Sequence, residues 1–146
     1  MANYIIINGS PREGNSKEIS EFIDENINDD VEIFNIKDKN IEFCHADNAC
    51  KASGECGIHD DAYDLINKLE ECDGAFLVTP IYFARLPGPV YTLIDRFFSK
   101  FNPAKGMKEP DENKKLGYVF TYGNTEEELK EAYGSMAEQN AVPLDF

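Results

Sequence analysis

The chain has 146 residues, and 14 Lys and Arg against 28 Asp and Glu leave a formal charge of −14, which excludes a nucleic-acid or anionic-membrane surface. Hydrophobic residues at 42% and aromatics at 12% exclude a disordered segment, and the length sets the expectation of a single domain over 1–146. No apolar run approaches the ~20 residues of a membrane span, and a strand begins almost at Met1, so no targeting segment is expected and the chain is read as cytoplasmic.

Residues 3–8 (NYIIIN) form a continuous β-branched run, the pattern of a strand buried on both faces. A polar stretch, 9–16 (GSPREGNS), leads into a helix in which Ile19, Phe22, Ile23 and Ile27 share one face. Residues 31–36 (VEIFNI) read as a second strand. Residues 37–57 have no clean period and hold Cys44, Cys50 and Cys56. A helix follows Asp60 and Asp61, either of which can cap it, with Ala62, Leu65, Ile66 and Leu69 on one side. Residues 75–79 (AFLVT) are a third strand, ended by Pro80, and 81–89 a loop. The clearest helical stripe comes next: Val90, Leu93, Ile94, Phe97, Phe98 and Phe101. Residues 102–113 are a polar connection and 116–122 a fourth strand. A helix capped by Thr125, with Glu128 as its capping-box partner, precedes a short last strand at 141–146. This alternation predicts parallel strands joined by right-handed crossovers, a three-layer α/β/α sandwich with five strands.

The loop after the first strand carries the first chemical signal. A helix N-terminus behind a flexible polar turn is a phosphate site. Ser10 and Ser16 supply hydroxyls, Asn15 an amide and Arg12 a cationic fork, while Gly9 and Gly14 let the backbone curl around the anion. Neither the GxxxxGK[ST] nor the GxGxxG spacing is present. An ordinary strand-to-helix turn uses the same residue types, so that reading stays open from this loop alone.

The segment INGSPREGNS, residues 7–16, resembles the phosphate loop of the NADPH-dependent FMN reductase family, which has a flavodoxin-like fold. TPIYF at 79–83 resembles that family's second signature, and GPVYTLIDR at 88–96 its helix ending in Asp-Arg. The resemblance implies a sheet ordered 2-1-3-4-5, with ligands bound at the carboxyl ends of its strands. It implies that Ser10, Arg12, Asn15 and Ser16 hold the FMN phosphate. Pro80, Ile81, Tyr82 and Phe83 would line the isoalloxazine ring, which Thr121, Tyr122 and Gly123 approach from the fourth strand. Arg85, beside the ring, is a candidate contact for an anionic substrate or the flavin edge. Tyr91 stands where the family often carries Lys, and the chain stops near the fifth strand, short of a final helix.

The iron–sulfur flavoproteins, a branch of this family, carry a C-x2-C-x2-C-x(4–7)-C motif in the region between the second strand and the next helix. Cys44, Cys50 and Cys56 match its first, third and fourth positions, and Asp47 stands at the second. Three readings stay open: a cluster with a weak or missing iron at Asp47, a zinc site using His45 or His59, and plain thiols without metal. The cluster is allowed but not favoured. Cys72 reads as a core residue, Asp95 and Arg96 as a structural ion pair or a helix-end contact.

The resemblance implies an oxidoreductase that passes hydride from NAD(P)H to bound FMN and electrons onward to a quinone, flavin, metal or protein. No catalytic acid or base is assigned, because hydride transfer rests on positioning two rings. The alternative is a flavodoxin-like electron carrier without NAD(P)H activity, which the charge of −14 suits. An FMN-binding regulatory module has nothing in its favour. A homodimer or higher homo-oligomer is expected from unpaired sheet edges and exposed aromatics.

Overall fold

The computed structural model describes residues 1–102 and 111–140. Strands β1 (Asn3–Asn8), β2 (Asp30–Asn35), β3 (Gly74–Pro80) and β4 (Lys115–Thr121) form one parallel sheet ordered β2-β1-β3-β4. The expected fifth strand, at 141–146, lies outside the described residues; within them the sheet has four strands where five were expected. The reversal of strand order falls between β1 and β3, where Ile6 pairs with Phe76 and Asn8 with Val78.

The helices are α1 (Asn15–Asn26), α2 (Ala49–Ser53), α3 (Asp61–Glu71), α4 (Gly88–Arg96), α5 (Glu126–Tyr133) and α6 (Met136–Asn140). Short 3₁₀ turns follow β2 at Ile36–Asp38 and α4 at Phe97–Lys100. The larger core, with Ile5, Ile7, Leu77, Leu65, Val90 and Leu93, joins one sheet face to α3 and α4. On the other face Ile6 and Val78 are fully buried, and α1 packs across β1, β2 and β3. That gives the expected three layers. Among the described residues no helix is long and apolar enough to cross a membrane.

Two helices depart from the sequence pattern in a way that matters for the site. In α1 the buried residues are Ser16 and Ser20, while Phe22 is 65% exposed. At about 100° per residue, Ser16, Ser20, Ile23 and Ile27 fall on one line and Phe22 a third of a turn away. Small serines let the helix sit close to the sheet, and Ser20 Oγ returns a hydrogen bond to the Ser16 carbonyl at 2.7 Å. The stripe from Val90 to Phe101 is α-helical only to Arg96, after which the chain tightens into a 3₁₀ turn. Phe97 is buried there, and Phe98 and Phe101 are 44% and 46% exposed.

Candidate functional site

The carboxyl ends of β1, β3 and β4 open on one rim. At the end of β1, Asn8 is fully buried, donating from Nδ2 to Asn35 Oδ1 at 2.9 Å and accepting from the Ser10 backbone N–H at 3.2 Å. Gly9 donates its N–H to the Val78 carbonyl at 2.8 Å, which ties the loop to β3. Ser10 Oγ then donates to the Arg12 carbonyl at 2.9 Å and accepts from the Arg12 N–H at 3.3 Å. Gly14 precedes α1 without offering a side-chain cap, so the first N–H groups of that helix keep their positive end for a ligand.

Electrostatics reinforce this. Glu13, the nearest carboxylate in sequence, is drawn to Lys17 at 3.4 Å and Lys37 at 3.5 Å. The hydrogen bond from Lys17, with the charges of both lysines, holds its carboxyl below the usual range. Arg12, whose Nη1 donates to the Glu13 carbonyl at 3.2 Å, is exposed and pairs with no carboxylate among the described residues. Across the rim, Ser16 Oγ lies 3.4 Å from Thr121 Oγ1, and Ile81 donates its N–H to the Thr121 carbonyl at 2.9 Å.

The result is an open cavity of about 270 Å³ lined by Ser10, Arg12, Asn15, Ser16, Pro80, Ile81, Tyr82, Thr121, Tyr122 and Gly123. Residues of the two sequence signatures, some seventy positions apart, thus share one wall. Phe83 is outside this cavity, 91% exposed at the tip of the next turn. A loop anchored by backbone hydrogen bonds, with a free cation and an uncapped helix end, can grip a phosphate; the half-apolar wall beyond it can take a ring.

The cysteine loop is built around Arg96, the last residue of α4. Its side chain is 1% exposed and pairs through Nη1 with Asp60 at 2.7 Å. It also donates to the Glu42 and Ile58 carbonyls, both at 2.9 Å, and from Nη2 to Cys56 Sγ at 3.4 Å. Asp60 is the N-cap of α3, accepting from the Ala62 and Tyr63 N–H groups. Burial alone would raise the Asp60 carboxyl, but Arg96 and the N–H groups of Glu42 and Tyr63 outweigh it and hold it below its ordinary value. The expected Asp95–Arg96 pair is therefore corrected: the partner of Arg96 is Asp60, because α4 turns Arg96 inward under the loop.

This arrangement does not gather a cluster. Among the described residues no three His, Cys, Asp or Glu side chains converge as metal ligands. Cys56 faces Arg96, Cys44 lines a separate apolar cavity with Ile94 and Phe98, and Asp47 accepts from the Ala49 N–H at 3.0 Å. His45 approaches Glu42 at 3.4 Å and His59 stacks on Tyr63 at 4.3 Å. Cys72 is buried in the core, and burial pushes its thiol up. Replacing Asp47 by Cys would complete the thiolate pattern; anaerobic reconstitution is expected to load D47C with at least three times the iron and sulfide of the parent, and equal loading would show that Asp47 is not the limit.

Comparison with known proteins agrees with the fold. Residues 2–137 match the NADPH-dependent FMN reductase family. An iron–sulfur flavoprotein of Archaeoglobus fulgidus is 37% identical over 95 residues, covering 63% of this chain and 47% of that protein. One from Methanocaldococcus jannaschii is 34% identical over 96 residues, covering 62% and 49%. The chain thus spans about half the length of these relatives. Among solved structures, an NAD(P)H:quinone oxidoreductase from Methanothermobacter marburgensis superposes with a TM-score of 0.70 at 16% identity, covering 94% of this chain and 74% of that one. An azoreductase from Bacillus anthracis gives 0.68 at 15% identity, covering 95% and 77%. The chain belongs to the NADPH-dependent FMN reductase family, and within it is similar to iron–sulfur flavoproteins.

Proposed function

We propose that the protein is an FMN-dependent oxidoreductase whose rim cavity is the flavin site. One observation carries this reading: the residues of both signatures line a single cavity where the strand order reverses, with the free N-terminal end of α1 at its edge. In this reading Ser10, Arg12, Asn15 and Ser16 hold the phosphate, and Pro80, Ile81 and Tyr82, with Thr121 to Gly123, bound the ring. FMN, when bound, supplies acceptance of hydride from a reduced nicotinamide and onward transfer of electrons to a quinone, flavin, metal or protein acceptor. The chain's own contribution is to orient the ring and leave one side of it open, and no side chain needs to act as acid or base.

Fluorescence titration with FMN tests the assignment. A charge-assisted hydrogen bond contributes about 1.5–3 kcal/mol, so Arg12→Ala is expected to weaken FMN binding about 10–100-fold. An unchanged affinity would remove Arg12 from the phosphate site. Bleaching of bound flavin by NADPH or NADH separates a reductase from an electron carrier, the second reading favoured by the charge of −14. We also propose a homodimer, supported by exposed Phe22, Phe43, Phe98 and Phe101; light scattering that finds only monomer would remove it.

A further inference from the structure

The three loop cysteines are alike in exposure and differ in surroundings. Cys44, Cys50 and Cys56 are all half-buried. Among the described residues, only the Cys56 sulfur of the three accepts a hydrogen bond, from Arg96 Nη2 at 3.4 Å. The guanidinium has five N–H bonds to place. Nη1 serves the Glu42 carbonyl and Asp60, and Nη2 serves the Ile58 carbonyl and the sulfur. The fifth is left over: Arg96 Nε is buried and has no hydrogen-bond partner among the described residues.

A buried donor without an acceptor is costly, and this one stands on the same edge of the planar fork as Nη2. Arg96 and Cys56 share a small cavity with Glu55, Tyr63, Asn67 and Ser99. Its volume is about 10 Å³, the room of a single oxygen atom. A thiol, an orphaned N–H and space for one oxygen therefore meet at one point. Cys44 lies instead in an apolar cavity with Ile94 and Phe98.

We propose that Cys56 is a peroxide-reactive thiol whose sulfenic acid places its oxygen in this cavity, as the acceptor that Arg96 Nε lacks. The oxidant is hydrogen peroxide. The thiol gives its proton to solvent and the sulfur attacks one peroxide oxygen, so that an S–O bond forms as the O–O bond breaks. Sulfur loses two electrons, the peroxide gains them, and the departing hydroxide takes up a proton and leaves as water. Two features stop the reaction at this stage. The cavity has no place for a second oxygen, and the Glu55 carboxylate, which accepts from the Tyr63 hydroxyl at 3.3 Å, disfavours the anionic sulfinate beside it. The site stands apart from the flavin cavity and does not rest on the flavin reading.

Arg96 variants lose stability, so the decisive comparison is made within one protein, where three equally exposed cysteines report on the same sample. The purified protein is treated with a few equivalents of hydrogen peroxide, trapped with dimedone and mapped by peptide mass spectrometry. Cys56 is expected to carry at least ten times the dimedone adduct of Cys44 or Cys50, and dithiothreitol added before dimedone should abolish it. Untrapped protein should gain one oxygen at Cys56, and its melting temperature should rise by about 2–4 °C as Nε acquires an acceptor. Cys56→Ser should melt at the same temperature with and without peroxide. Equal labelling of the three cysteines would overturn the proposal, as would a second oxygen on Cys56 at the same dose or a melting temperature that falls on oxidation. Iron bound at Cys56 in the purified protein would overturn it too, since the sulfur would then be a metal ligand.

Discussion

Arg96→Ala is expected to lower the unfolding free energy by about 3–5 kcal/mol in urea titration, the usual result of deleting one partner of a buried ion pair. The loss exceeds that of a surface pair because the deletion strands Asp60, 4% exposed, and the carbonyls of Glu42 and Ile58 together. Asp60→Asn isolates the charge and carries a pH signature. The folded-state carboxyl titrates below its ordinary value of 3.8, so its stabilisation is complete above that value and disappears as pH falls through the lower, folded-state one. The parent should therefore lose stability on acidification in this range, and Asp60→Asn should flatten that limb while being less stable at neutral pH. An identical acid limb in the two proteins would mean that Asp60 is not held ionised by Arg96. Exchanging both partners for apolar residues of similar size should cost less than either single deletion.

Gly9→Ala should be nearly as informative at the other end of the site. A Cβ on Gly9 would stand 2.7 Å from Thr79 Oγ1 and 2.7 Å from Val90 Cγ2, closer than real contacts allow. Neither neighbour can yield, since Thr79 is fully buried and Val90 1% exposed. The added methyl must spread β1 from β3 and α4, an overpacking cost of about 1–3 kcal/mol. Because Gly9 also fixes the loop through its N–H on Val78, FMN affinity should fall with stability. A variant as stable as the parent, with parental FMN affinity, would show that the loop does not need this close approach. No conformational freedom is involved at Gly9; the requirement is space.

How far the residues announce this architecture depends on how local each interaction is. The capping box at Thr125 and Glu128 forms as read, with bonds of 3.2 and 3.0 Å in both directions, because its partners are three residues apart. Val90 and Leu93 are buried as their spacing requires, and the four described strands fall within a residue or so of their apolar runs. Phe22 fails because hydrophobicity outranks size in a periodic reading, whereas the closeness of α1 to the sheet selects Ser16 and Ser20. The rim cavity was legible by composition and resemblance, since strand ends of a parallel sheet must meet on one side. The place of Phe83 was not, because the reversal at Phe83 and Ala84 breaks the preference of those residues for negative φ. Arg96 was hidden for a different reason: its partners, from Glu42 to Asp60, lie 36 to 54 positions away in a stretch without period.

The bond from Asn140 to Ala84 couples two regions distant along the polypeptide. Loosening α6 would release the tip of the aromatic turn while the sheet stayed intact, so amide exchange should quicken at residues 82–85 well before it does in β1 or β3. A change remote in sequence would then reshape the rim beside Tyr82 without touching the central fold, giving the turn and the sheet separate mechanical supports.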